Sequence, residues 1–257
     1  MVGVYDSGVG GLSVWKELLA LMPWQDYVYV ADSANCPYGE KSPGFIAGRA
    51  AAVARFLIDS GADVVVVACN TATAAAISCL RQAFPVPFVG MEPAVKPAAE
   101  LSRTGVVGVL ATANTFRGRL YRDTVVRFAS DIKVVEVVGR GLVEAVEKGE
   151  TPSGLIRSYV DGMTSQGADV IVLGCTHFPF LEKAISVAAG PDVRILNPAP
   201  AVARQTQRVL DRISAAHRVH VPPSSVFYST GDVSVLRRLA METDPSLDQD
   251  AFNTINI

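Results

Sequence analysis

The sequence is short of most features that assign a protein class at a glance. Basic residues do not exceed acidic ones: 23 Lys and Arg stand against 25 Asp and Glu, for a net charge of −2. With no Lys/Arg cluster standing out, the electrostatic footprint of a nucleic-acid binder is missing. No apolar run approaches the roughly 20 residues that a membrane-spanning helix needs, so no membrane partner is expected. The N-terminus has no basic leader and enters an apolar strand at once, so no secretory signal is expected. The four cysteines (Cys36, Cys69, Cys79 and Cys175) include no Cys-x-x-Cys pair. They read as reduced thiols rather than a disulfide framework, a redox pair or a zinc site. Aromatics make up only 7% of a chain that is 49% hydrophobic. The apolar mass is therefore Val, Ala, Leu and Ile, a composition that suits parallel strands buried on both faces. The 257 residues leave room for two domains of roughly 100–150 residues. A cytoplasmic α/β protein is expected.

What the sequence does contain is a repeat. Gly61-Ala62-Asp63-Val64-Val65-Val66-Val67-Ala68-Cys69-Asn70-Thr71 returns as Gly167-Ala168-Asp169-Val170-Ile171-Val172-Leu173-Gly174-Cys175-Thr176-His177, an offset of 106 between the cysteines. Val107-Gly108-Val109 likewise echoes Val2-Gly3-Val4 at an offset of 105. Internal repeats fix architecture before anything else does. Period-2 and period-3.6 apolar patterns predict strands over 2–5, 27–31, before Cys69 and over 85–90, with helices from 12 and over 46–60, 72–84 and 92–101. The order restarts with strands over 107–112 and 132–138, a helix over 155–165, the Cys175 strand and a strand over 193–196. A tail helix (201–215) and strand (226–229) are placed back on the first lobe. The prediction is an α/β fold of two doubly wound parallel-sheet lobes. Residues 1–92 plus 205–257 form the lobe carrying Cys69, residues 93–204 the lobe carrying Cys175, and the active site lies between them.

Ligands of such sheets bind outside the carboxyl ends of the strands. Six features fall there: Asp6-Ser7, the Pro37-Tyr38-Gly39 loop, Cys69-Asn70-Thr71, Thr112 to Thr115, Glu147 after its helix, and Cys175-Thr176-His177. Each cysteine is expected just before a helix whose free N–H groups favour a thiolate, with Asn70, Thr71 and Thr176 as capping residues. Two thiols facing each other across a cleft suit proton removal from one face of a carbon and return to the other. Against this, a cysteine at a strand end is usually a small packing residue. That reading is kept for Cys79, between Ile77 and Leu80, and stays open for Cys36. Ser7 can cap the first helix while Asp6 faces the cleft. Rival chemistries fit less well. Gly8-Val9-Gly10-Gly11 resembles a dinucleotide turn but has Ser13 in place of the third glycine, and no P-loop Lys follows. A phosphatase loop needs Arg six residues after its cysteine, where Ala75 and Leu181 stand. A metal set of Cys36, Cys69, Cys175 and His177 has no local ligand spacing. A Cys-His hydrolase with His177 as base is the better rival, but it leaves one cysteine unexplained.

Four motifs in order, Asp6-Ser7-Gly8-Val9-Gly10-Gly11-Leu12, Pro37-Tyr38-Gly39, Cys69-Asn70-Thr71-Ala72 and Gly174-Cys175-Thr176-His177, resemble those of the glutamate racemases in the cofactor-independent aspartate/glutamate racemase superfamily. The resemblance runs along nearly the whole chain. It implies pseudo-twofold symmetry between the lobes, interconversion of L- and D-glutamate without cofactor or metal, supply of D-glutamate for peptidoglycan, and a homodimer. It also implies that Cys69 works on the D-enantiomer and Cys175 on the L-enantiomer, assisted by Asp6, Glu147 and His177. Substrate contacts fall by the same resemblance on Asp6, Ser7, Pro37, Tyr38, Gly39, Asn70, Thr71, Thr112, Thr115, Thr176 and His177. The stretch Ala31-Asp32-Ser33-Ala34-Asn35-Cys36 departs from the family's usual Gly-Asp-Thr-Ala-Arg. An aspartate-accepting or broader racemase is the alternative that this departure leaves.

Overall fold

The computed structural model describes residues 1–213 and 223–257. Two all-parallel sheets carry the fold. The first repeat unit runs β1 (Val2–Asp6), α1 (Leu12–Leu21), β2 (Tyr27–Ala31), α2 (Pro43–Asp59), β3 (Val64–Val67), α3 (Asn70–Ala83) and β4 (Phe88–Gly90). The second runs α4 (Val95–Leu101), β5 (Val106–Ala111), α5 (Ala113–Arg117), α6 (Arg119–Phe128), β6 (Lys133–Val138), α7 (Leu142–Lys148), α8 (Ser153–Thr164), β7 (Val170–Gly174), α9 (Glu182–Ala189) and β8 (Arg194–Leu196). The tail adds α10 (Ala199–Ile213), β9 (Ser225–Ser229), α11 (Ser234–Thr243) and β10 (Phe252–Thr254). The last two positions of the helix predicted over 201–215 lie outside the described residues.

The sheets share one strand order. β2-β1-β3-β4 in the first corresponds to β6-β5-β7-β8 in the second, and β9 and β10 extend the first sheet beyond β2. Register repeats as well: Val2 pairs with Val64 where Val107 pairs with Val170. The doubled Gly-Ala-Asp has a backbone cause. Gly61 and Gly167 both sit at left-handed φ (+96° and +95°), which reverses the chain between helix and strand. The aspartates that follow differ in use. Asp63 accepts the N-terminal ammonium at 2.6 Å. Asp169 accepts Ser102 Oγ and the Arg103 N–H; burial alone would raise its pKa, yet these and the Thr104 donors hold it down to about 2.

Strands β1, β3, β5 and β7 are almost wholly buried, as their Val-rich runs require. One apolar cluster runs from Val2, Trp15 and Phe227 through Leu142 and Phe178 to Ile185, so the lobes share core across their seam. α10 packs on α1, and no described helix is long and apolar enough to cross a membrane. Several boundaries differ from expectation for local reasons. α2 starts at Pro43 rather than 46 because Ser42 accepts the Phe45 N–H and proline suits the first helical position. Cys79 is exposed, not core, because it falls outside the buried 73-76-77-80 stripe of α3.

Candidate active site

The carboxyl ends of β1, β3, β5 and β7 meet at the seam. They form a narrow pocket, with free space of only about 10 Å³, lined by both Cys69 and Cys175, with Ser7, Asn70, Thr71, Thr112, Thr176 and His177. Pro37, Tyr38, Gly39 and Val143 complete its walls. No Lys or Arg is among these residues, so an anionic ligand there meets hydroxyl, amide and N–H donors. Asn70 is the clearest anchor for a ligand: both its amide atoms are buried and make no hydrogen bond to any described residue. Thr71 Oγ1 and Thr112 Oγ1, from opposite lobes, lie 2.8 Å apart, and Thr115 Oγ1 extends the chain at 3.0 Å. Thr115 itself is fully buried behind Thr112.

The two thiols are held differently. Cys69 is the N-cap of α3, its Sγ accepting the Ala72 N–H at 3.4 Å. The cap is thus the cysteine itself, and Asn70 and Thr71, expected as caps, are the first residues of the helix. Cys69 Sγ also contacts Ser7 Oγ at 3.6 Å, and Ser7 Oγ lies 3.4 Å from Asp6 Oδ1. Ser7 therefore links thiol to carboxylate and does not cap α1, which begins after Gly11 without a side-chain cap. The helix end does not by itself favour a thiolate at Cys69. Burial and then the Asp6 charge push the Cys69 thiol up to about 12, against the pull of the Ala72 N–H and Ser7. Asp6 is fully buried between the Gly8 N–H and Thr176 Oγ1, each at 2.8 Å. Burial raises it to about 6, although His177 draws it down.

Cys175 has no α-helix at its back. The chain turns through a 3₁₀ segment, Phe178–Leu181, and α9 starts only at Glu182. Pro179 lacks the N–H a longer helix would donate. In place of a helix end, Cys175 Sγ has His177 Nδ1 at 3.8 Å, and His177 Nε2 donates to Glu147 Oε1 at 2.6 Å. Burial would lower the imidazole pKa, but hydrogen bonds to Cys175, Cys36 and Glu147 hold it well above its ordinary value. Glu147 also feels burial first, which would raise it. His177, then the Val9 N–H, keep it below the usual carboxylate range. It lies in the last turn of α7 rather than after that helix, with its Oε1 also accepting the Val9 N–H at 2.8 Å.

A match to the model of the Asp/Glu/hydantoin racemase family covers residues 14–206. The glutamate racemase of Methylococcus capsulatus is 46% identical over 92% of this chain and 89% of its own length. The chain belongs to the Asp/Glu/hydantoin racemase family. It is an isomerase by that membership. Two solved glutamate racemases share the fold over its whole extent. The Bacillus anthracis RacE1 isoform has a TM-score of 0.86 at 27% identity, covering 100% of this chain and 97% of its own. The Escherichia coli enzyme, solved with L-glutamate and an activator, UDP-MurNAc-ala, has a TM-score of 0.85 at 30% identity, covering 99% and 97%.

Of the racemase residues expected at the site, Asp6, Glu147 and Thr115 stand one layer behind the cavity and the others line it. Tyr38 lines it with its ring side, since its hydroxyl is buried and donates to Asp32 while accepting from Tyr5. The Gly-rich turn carries no phosphate-binding geometry. It is a contact surface: a Cβ at Gly8 would collide with Glu147, and one at Gly10 with the His177 ring. Sequence reasoning missed the anchor of the Pro37-Tyr38-Gly39 loop. Arg49 donates to both oxygens of buried Asp32 at 2.8 and 3.0 Å, and Asn35 and Thr230 add donors. No spacing rule links 32, 38 and 49, although an Asp at a strand end followed by an aromatic turn is a signal the sequence offers. Burial would raise Asp32, but Arg49 and Tyr38 hold it below its ordinary range.

Proposed function

We propose that this racemase interconverts L- and D-glutamate by a two-base mechanism. The reading rests above all on Cys69 and Cys175 lining one narrow pocket, each backed by its own titratable partner. A Cα proton is a very weak acid, so a base must be desolvated and aimed at it. The carboxylate of the developing carbanion needs donors in place beforehand, and losing one such donor costs roughly 2.7–4 kcal/mol in other enzymes. Asn70, Thr71, Thr112, Thr176 and the N–H groups at the start of α3 are suited to that task. In the L-to-D direction Cys175, as thiolate beside cationic His177, takes the proton. Cys69 returns one to the opposite face, and its raised pKa keeps it a proton donor. In the reverse direction Cys69 must lose its proton, and Ser7 offers a path to Asp6.

Glutamate is favoured over the broader alternative because neither Asn35 nor Cys36, where the departure lies, lines the pocket. Asn35 instead donates to Asp32 at 3.0 Å. The names of the relatives support the same choice. A role in supplying D-glutamate for peptidoglycan, inside the cell and as a homodimer, completes the reading; the muramyl nucleotide bound to the Escherichia coli enzyme supports it. Incubating each enantiomer of glutamate and aspartate and following optical rotation tests it. Loss of rotation from both glutamates to zero is expected. Rotation lost only from aspartate would transfer the assignment to that substrate.

A further inference from the structure

Cys36 belongs to neither thiol's expected role, yet it stands in a constellation of its own. Its Sγ donates to Glu147 Oε1 at 3.7 Å, the same oxygen that receives His177 Nε2 at 2.6 Å. Ligand atoms of Cys36, Glu147 and His177 all lie within 4.8 Å of one another, and they are the one such group among the described residues. The three come from separate elements: the loop after β2, the end of α7 and the turn after β7. Soft thiolate, imidazole and carboxylate together form a set that a tetrahedral zinc ion takes, with the fourth position left open. Metal bonds of ~2.0–2.3 Å imply ligand separations of roughly 3.3–3.6 Å in a tetrahedron. The Cys36–Glu147 pair already stands near that spacing, and the Glu147–His177 pair has only to open by less than about 1 Å. The Glu147 side chain keeps 20% of its surface exposed, which gives an ion a way in.

The geometry points to an inhibitory zinc site formed by Cys36 Sγ, Glu147 Oε1 and His177 Nε2. Binding forms one bond from each of these atoms to the ion and sends the thiol proton and the Nε2 proton to solvent; nothing is oxidised or reduced. The ion breaks the Glu147–His177 hydrogen bond and ties the first lobe to the second. Racemisation stops because His177 no longer serves Cys175, not because the ion takes the reacting thiols.

Cobalt(II) as a spectroscopic substitute tests this without requiring any activity. Titrated into the full chain, it is expected to bind once per chain with an intense thiolate-to-cobalt band in the near ultraviolet. The same band is expected in a Cys69→Ser/Cys175→Ser double variant and is absent from Cys36→Ser and Cys36→Ala. In parallel, the zinc concentration that halves racemisation rises at least about tenfold in Cys36→Ser, measured against that variant's own metal-free rate. A band that survives loss of Cys36, a band that disappears in the double variant, or no stoichiometric binding to wild type would overturn the assignment.

Discussion

Cys69 and Cys175 stand after equivalent strands of equivalent sheets, but one thiol is capped by a helix and the other by an imidazole. The repeat accounts for the sameness: β3 and β7 occupy the same place in the strand order, and their cysteines fall at matching positions. The differences lie in what each half adds. Asp6, at the end of β1, has Ala111 as its counterpart at the end of β5, and His177 has Thr71 as its counterpart after β3. Each thiol therefore has a titratable neighbour at a position where the other half has none. The partners are also tied across the seam. Thr176 of the second half donates to Asp6 of the first, and the Val9 N–H of the first donates to Glu147 of the second. A duplicated scaffold thus places two thiols symmetrically, while unduplicated residues set their surroundings separately.

Enantiomers have equal free energy, so kcat/KM must be the same in both directions whatever is mutated. Asymmetry between the two ends has to be read from isotope effects and pH profiles instead. The largest expected effect is from Cys69→Ser and Cys175→Ser, each lowering turnover by at least about 10³-fold, because hydroxyl is a far weaker base than thiolate. Racemisation near the wild-type rate in either variant would remove the two-base reading. Next comes Asp6→Asn, which should cost about 10²-fold. Wild-type kcat/KM should fall as pH drops through about 6, where Asp6 takes up a proton, and the variant should lack that limb. An isotope effect enlarged for α-deuterated D-glutamate but not for the L-enantiomer would assign Asp6 to the Cys69 end.

The same substitution also tests stability. The folded pKa of Asp6 lies above the unfolded value, so between them the native state binds more protons. The stabilisation linked to the neutral carboxyl is present below about 4, and it is lost as pH rises through about 6. Asp6→Asn should therefore raise stability at pH 7, by at most about 3 kcal/mol, while damaging activity. Thermal melts at pH 4 and pH 7 measure it, and equal melting shifts at both would contradict this origin. Gly10→Ala forces a methyl against His177 and should cost ~1–3 kcal/mol in stability. Its remaining activity should show a larger isotope effect from L-glutamate. Gly44→Ala, with open space around it, is the matched control. The smallest effect belongs to Arg140→Ala. Arg140 donates to Glu40 across the lobes at 2.7 Å, but both side chains are mostly exposed, so a loss under about 1 kcal/mol is expected in a melt.

The sequence made the lobes legible because parallel strands buried on both faces are written in runs of valine, and because left-handed turns before β3 and β7 demanded glycine twice. The same repeat placed both cysteines. It misled where local chemistry differs between copies. Pro179 replaces a helix with a 3₁₀ turn behind Cys175, so the expected helix dipole is absent there. At Cys69 the dipole is present, but burial outweighs it. Glu147, Thr176 and the Gly8–Gly10 turn meet only through tertiary packing, which no spacing within one segment encodes. β10, an edge strand of three residues, is too short to carry a periodic pattern.

The central claim is that two different thiols face the two sides of one carbon. Racemisation of unlabelled L-glutamate in deuterium oxide, stopped at low conversion, tests it most directly. If the account holds, the D-glutamate formed carries deuterium at Cα while the remaining L-glutamate keeps its hydrogen, and the same pattern appears from the D-side. Deuterium entering the unreacted enantiomer as fast as product forms would mean a single base serving both faces, and would contradict it.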